Sequence, residues 1–278
     1  MTWFNRSTCA CLSVLATLPA AAMAQDLPLW ELGVGGFTAS TPAYPGSENR
    51  SNRTLVVPFA IYRGEVFRAD QSGIGMRLFA SDRVKLDVGL AASLPANSDD
   101  VPARAGMPDL GTLLEFGPRI KVQLTRPTPS SGLRLDLPLR AVIEARSGLR
   151  TQGVTFEPKL VYEWDGPRGA WGVDANLGLV LGNAKINRYF YEVQPQFATL
   201  ERPAYEADAG LMLVRAGLSG SRMLNPDVRV FAFLRYESYA NAANRDSPLM
   251  KRDSGASAGF GFAWTIKRSV RMAAARGD

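Results

Sequence analysis

Leu133-Arg134-Leu135-Asp136-Leu137-Pro138-Leu139-Arg140-Ala141-Val142-Ile143-Glu144 carries an apolar residue on every odd position, with Arg134, Asp136, Arg140 and Glu144 between them. A side-chain period of two is that of a β-strand with one apolar and one charged face. One such strand fits a soluble sandwich as well as a membrane barrel, so the decision rests on how often the pattern recurs. Val84, Leu86, Val88 and Leu90 alternate with Lys85 and Asp87, and Leu114, Phe116, Ile120 and Val122 oppose Glu115, Arg119 and Lys121. Phe156, Leu160, Tyr162 and Trp164 oppose Glu157, Lys159 and Glu163, while Trp171, Val173, Leu177 and Leu179 oppose Asp174 and Asn176. A tilted strand crosses a bilayer in about 9–11 residues, and globular strands average about 5–6. These runs therefore predict an all-β, antiparallel transmembrane β-barrel over a periplasmic β-sandwich.

The start of the chain predicts export. Arg6 gives a positive n-region, Cys9 to Ala22 an apolar h-region, and Ala22-Met23-Ala24 a small-x-small cleavage site. Residues 1–24 are read as a cleaved signal peptide, 25–266 as the barrel and 267–278 as a basic C-terminal tail. Cys9 and Cys11 lie outside any lipobox-like context and leave with the signal peptide, which excludes disulfides and thiol catalysis in the mature protein. Cell outer membrane of a Gram-negative bacterium is the expected location. The net charge of +6 and pI near 9.5 invite a nucleic-acid reading. However, Lys267, Arg268, Arg271 and Arg276 against Asp278 account for much of the excess, and no basic face interleaved with aromatics is found, so no nucleic-acid partner is expected.

The chain contains no histidine. Ser-His and Asp-His hydrolysis, His-ligated metals and haem are thereby excluded. Carboxylate pairs such as Glu157 and Glu163 are read as lumen charges matched by Lys159 and Arg140 rather than as an acid/base pair. A non-enzymatic protein with no cofactor, no metal and no catalytic residue is expected. The predicted lumen-facing set is Glu115, Arg119, Lys121, Arg134, Asp136, Arg140, Glu144, Glu157, Lys159, Glu163 and Asp174.

Strands are predicted over 29–39, 54–62, 65–70, 73–80, 83–94, 111–125, 132–145, 152–164, 170–182, 205–221, 227–240 and 255–266. That is twelve, with ten as the fallback. The long connections 40–53, 95–110, 183–204 and 241–254 alternate with short Gly/Pro/Asn/Asp turns, the asymmetry expected of outer loops and periplasmic turns. Trp30, Tyr62, Tyr162, Trp164, Trp171, Tyr236, Tyr239 and Trp264 fall near strand ends, where aromatic girdles form. Pro58, Pro118, Pro138 and Pro158 stand inside strands, where a missing amide donor calls for a bulge or a rim position.

Pro42-Ala43-Tyr44-Pro45-Gly46-Ser47-Glu48, Pro58 with Tyr62 and Gly64, Glu115-Phe116-Gly117-Pro118, Asn187-Arg188-Tyr189-Phe190-Tyr191 and Asp246-Ser247-Pro248 together resemble the MipA/OmpV family of outer-membrane proteins. The resemblance spans nearly the whole mature chain. It implies an outer-membrane barrel in contact with outer-membrane lipid and lipopolysaccharide. It also implies a scaffold joining a lytic murein transglycosylase to a bifunctional penicillin-binding protein, with adhesin and small-channel roles in other members. The chain departs from the family at its end, where Phe260, Phe262 and Trp264 are followed by Thr265 to Asp278. Three functions follow as expectations: an interaction scaffold, a narrow channel for small solutes, and a surface recognition barrel displaying 42–52, 97–109 and 189–203.

Overall fold

The computed structural model describes residues 27–64, 67–70, 73–93, 101–146 and 148–273. The expected signal peptide, 1–24, lies outside the described residues. The strands are β1 (Trp30–Pro42), β2 (Arg50–Arg63), β3 (Phe67–Asp70), β4 (Gly73–Ala80), β5 (Val84–Ser93), β6 (Thr112–Thr128), β7 (Ser131–Ala145), β8 (Leu149–Phe156), β9 (Lys159–Asp165), β10 (Trp171–Gly182), β11 (Gly210–Met223), β12 (Val228–Ser238) and β13 (Ser254–Arg268). Each pairs antiparallel with its neighbours in one sheet, and β13 returns to β1 from Glu31↔Arg268 to Ser40↔Ala258, closing a barrel. The closing ladder bulges at Leu32/Gly33. A Cβ on Gly33 would lie 2.1 Å from the Trp264 carbonyl oxygen and 2.6 Å from the Phe59 ring, so the seam needs glycine there.

Twelve wall positions are filled by thirteen segments because β8 and β9 are two halves of one strand. The sequence predicts 152–164 as continuous, but the ladder breaks at Glu157-Pro158. β7 pairs with β9 from Ser131 to Asp136 and with β8 from Leu139 to Ala145. The ladder between β6 and β7 skips Gly117 and Pro118 opposite Leu139 and Arg140. The twenty-residue spacing of Pro118, Pro138 and Pro158 thus has a physical account: three adjacent strands lose their donors at one height, and the ladder is interrupted once rather than three times. Pro58 has another solution. β3 pairs with β2 only at Tyr62 and Arg63, so along 50–61 β2 has no strand partner on its far side among the described residues. Proline is tolerated at such an edge.

The tail boundary moves outward. β13 runs to Arg268, the Ser269 amide donates to the Trp30 carbonyl, and the Ala273 amide donates to Leu27, so residues through 273 are tied to the N-terminal segment. Both described ends therefore lie beside the short turns. Residues 274–278 lie outside the described residues.

Polarity is inverted relative to a soluble protein. Leu234 is 60% exposed and Phe260 66%, on the outer surface, whereas Asp136 is 2% exposed and Glu144 7%, inside. An apolar belt of this kind is stable only against hydrocarbon. Trp164 and Trp171 meet edge to face at 4.8 Å beside the short turn 166–170, as an aromatic girdle requires. Tyr239, expected in that girdle, is instead 1% exposed under the cap, with its hydroxyl donating to Glu237 at 2.8 Å. The buried apolar core is not in the barrel wall alone: it forms where long loops fold inward at one end, in two clusters around Tyr191 and Tyr44.

Candidate functional site: the capped lumen

The cap is built on α1 (Ala184–Tyr191), in the connection from β10 to β11. Asn183 caps it: its side-chain oxygen accepts from the Ile186 amide and also from the Val154 amide, fastening the helix start to β8. Ile186, Asn187 and Tyr191 are 0–1% exposed and pack toward Val142, Leu213 and Tyr239 of the wall. Asn244 Nδ2 donates to Asn187 Oδ1 at 2.9 Å, and Asn187 Nδ2 donates to the Gly182 carbonyl at 3.0 Å. Ser247 donates to the Tyr191 carbonyl, and Tyr44 to the Leu249 carbonyl, both at 2.7 Å. Arg104, 4% exposed, donates to the Phe190 and Pro108 carbonyls and lies over the Tyr44 ring at 5.8 Å. The three stretches expected to be displayed outside thus fold partly inward; Tyr44, Val101, Arg104, Tyr191 and Val193 are buried.

Burial sets the acid-base character of the cap. It pushes the Tyr44 hydroxyl up to about 12 and lowers Arg104 from its usual range. Tyr191 is held well above the phenol range by burial, and Tyr189 and Tyr239 by burial reinforced by Glu144 and Glu237 respectively. These phenols stay protonated throughout the physiological range.

The predicted lumen residues fall on three levels. Glu144 belongs to the cap: Oε1 accepts from the Gly111 amide at 2.9 Å and the Tyr189 hydroxyl at 3.0 Å, and Oε2 from Gln152 at 2.7 Å. It grips two loops and lines a separate recess of about 480 Å³ between 107–110 and α1, not the chamber at Arg140. Glu115, Arg140, Glu157 and Lys159 lie beneath the cap around a chamber of about 610 Å³. Arg140 reaches Glu115 at 3.0 Å and Glu157 at 3.9 Å; Arg215 reaches Glu157 at 3.7 Å and Glu237 at 2.8 Å. This chain of alternating charge runs from β6 to β12 at the level of the proline break. The third level is nearer the short turns. Arg119 meets Asp87 at 2.8 Å, Lys121 meets Asp87 at 3.4 Å, and Arg134 meets Asp136 at 2.8 Å and also Glu163. Asp174 stands in register with Glu163 and Ser219. Of the expected matching of Glu157 and Glu163 by Lys159 and Arg140, the contact of Arg140 with Glu157 is present; Glu157 also meets Arg215, Glu163 goes to Arg134, and Lys159 makes no ion pair among the described residues.

Sequence reasoning missed Arg53, Arg215, Arg235 and Glu237 as inward charges, and it left Asp87 out of the lumen set although the alternation put Asp87 on the charged side of its strand. Arg235 and Glu237 have the parity of their strand's polar positions, and extending the alternation count would have found them. Arg215 is isolated among Leu213, Ala216 and Leu218, and only the register opposite Glu237 reveals it. The opposite wall of the lumen is largely apolar: Phe37 and Ala39 of β1, Phe231 and Phe233 of β12, and Gly259 and Gly261 between them, with Arg53 of β2 beside Ala39. The arrangement can hold water, ions or a small solute; no described group of side chains forms a metal-ligand cluster.

Residues 32–266 match the family described as MltA-interacting protein MipA. No curated protein matches the chain. Among solved structures, an outer-membrane channel from Pseudomonas putida F1 is 9% identical with TM-score 0.49, covering 89% of this chain and 99% of that one. Outer-membrane phospholipase A from Escherichia coli is 12% identical with TM-score 0.37, covering 84% and 92%. The match over 32–266, together with a closed barrel bearing an apolar belt, identifies the chain as an outer-membrane β-barrel that belongs to the MipA family.

Proposed function

We propose that this barrel is a narrow, gated channel for small solutes, exported by cleavage after Ala24, with its cap outside and its short turns and both chain ends in the periplasm. The observation that carries the reading is the chamber of about 610 Å³ under the loop cap, walled on one side by Glu115, Arg140, Glu157, Arg215 and Glu237. A twelve-strand wall is wider than the roughly eight-strand barrels that side chains alone can fill. Charges that pair along the wall, as Arg140 and Arg215 do, leave the space in front of them to water. The predicted lumen residues then line the path at two heights, and Glu144 belongs to the gate. The reading is non-enzymatic: the chain contains no histidine to serve as a base or metal ligand.

The test is single-channel current from the refolded mature protein in a planar bilayer, after a mobility shift on boiling shows a closed barrel. Discrete steps that lengthen when 184–204 is replaced by a short Gly-Ser linker support a gated channel. Silence from both proteins overturns it.

The family description favours a second reading, docking of a murein transglycosylase at the periplasmic rim. The turns there, such as 81–83, 166–170 and 224–227, are short against the roughly 800 Å² per partner of a standard interface. Co-sedimentation with a purified lytic transglycosylase, lost on exchanging the 224–227 turn, would raise this reading above the first.

A further inference from the structure

We infer that the chamber contains an anion site, formed by Lys159 and Arg235 over a floor of Gly178 and Gly217, that takes a small organic carboxylate with an apolar body. The carboxylates lining the chamber are Glu115, Glu157 and Glu237. Arg140 and Arg215 share all three, and Glu237 also accepts from Tyr239. Lys159 stands in register with Asp136, but Asp136 is held by Arg134 at 2.8 Å. Arg235 lies 5.8 Å from the Phe233 ring centroid. Neither Lys159 nor Arg235 makes an ion pair among the described residues, and the chamber lining carries Arg53, Arg140, Lys159, Arg215 and Arg235 against Glu115, Glu157 and Glu237, a net positive charge where water is confined.

The register places these cations around an open floor. Lys159, Gly178 and Arg215 are successive partners across β9, β10 and β11, and Gly217 faces both Asn176 and Arg235. With strands about 4.8 Å apart, Lys159 and Arg215 rise about 10 Å from each other with no side chain between them. The resulting niche, about 160 Å³, is edged by Asn176, Ser219 and Phe233. A Cβ at Gly178 would meet the Lys159 Cβ at 2.5 Å and the Pro158 carbonyl oxygen at 2.7 Å, so the floor stays bare.

A second observation points the same way. Thr155 lines the chamber, is 7% exposed, and its hydroxyl has no hydrogen-bond partner among the described residues. A buried donor without an acceptor costs free energy that an entering carboxylate oxygen recovers. Phe37, Phe233, Val142 and Leu213 offer the other part of the solute an apolar wall. A cation on a solute would meet Lys159 and Arg235 and be repelled.

The inference rests on the channel reading only in requiring that a solute reach the chamber. It is tested by equilibrium dialysis of benzoate, with benzamide as the neutral isostere, against the folded barrel in detergent. Benzoate is expected to bind and benzamide not to. Lys159→Gln and Arg235→Gln should each weaken benzoate about tenfold, with the boiled-versus-unboiled mobility shift unchanged. Thr155→Val should weaken it less. Equal binding of the two probes, no binding of benzoate, or full binding by both charge variants overturns the site. Bilayer current without benzoate binding defeats the site and leaves the channel. Binding without current defeats the channel and leaves the site.

Discussion

Two buried cap residues with the same burial differ in whether their polar atoms are satisfied, and that difference fixes the sign of their mutational effects. Asn187 is 0% exposed and both ends of its amide are bonded, to Gly182, Asn183 and Asn244. Asn187→Ala removes the bonds to Gly182, Asn183 and Asn244, with Asn244 Nδ2 keeping only its bond to the Asp208 carbonyl, and should lower cap stability by about 1–3 kcal/mol. Tyr191 is equally buried, but its hydroxyl has no partner among the described residues. Tyr191→Phe should be neutral or stabilising by up to about 1 kcal/mol. Limited proteolysis of the native barrel at its cap loops checks the pair; faster cleavage of Tyr191→Phe than of Asn187→Ala would show the hydrogen-bond assignment to be wrong. Tyr44 adds a pH dependence. Its folded value of about 12 lies above the ordinary 10, so its contribution is complete below pH 10 and is lost as pH rises through 12. Two units correspond to about 2.7 kcal/mol for one group. A tyrosinate titration at 295 nm should show a late wave near pH 12 that loses one residue's amplitude in Tyr44→Phe.

At the level of elements, the alternation that defines β7 made its apolar and charged faces legible, because burial against lipid and burial against the lumen both follow a period of two. The same period placed β5, β6 and β10 to within a few residues. It could not show that 152–164 is two segments, since proline alters the ladder without altering side-chain parity. Nor could it show the cap. Asn187-Arg188-Tyr189-Phe190-Tyr191 reads as a loop in a barrel sequence, and its inward burial depends on partners such as Leu213 and Ala242 that are distant in the chain. Gly153 is where the wall admits α1. Its φ is 127°, and a Cβ there would lie 2.3 Å from Asn183 Oδ1 and 2.8 Å from the Ile186 amide nitrogen. Gly153→Ala should therefore lift the helix start from β8 while leaving the ladder from β10 to β11 intact. The expected result is normal heat-modifiable mobility with faster cap proteolysis; an unchanged cleavage rate would mean that the helix is not seated on β8.

Along the barrel wall, charge is inside and apolar surface outside, while Arg188, Glu206, Arg245 and Asp246 carry further charge on the exposed rim. Arg140 is the point where this is most exposed to test. It bridges Glu115 and Glu157 at the height where Pro118, Pro138 and Pro158 interrupt the ladder, so side-chain pairing holds the wall where backbone pairing is weakest. Arg140→Glu would place three carboxylates together, with Arg215 and Lys159 as the remaining nearby cations. Breaking a fully buried pair costs about 3–5 kcal/mol, and side chains 17–22% exposed belong near the lower end of that range. The fraction of protein that refolds to the heat-modifiable form should fall several-fold at low salt and recover partly at about 1 M salt, where charges in contact with water are screened over about 3 Å. Combining Arg140→Glu with Glu115→Arg restores one opposite-charge pair and should recover most of the yield. If the single variant refolds as well as the parent at every salt concentration, the ion-pair belt contributes nothing to closure and the wall is held by its ladders alone.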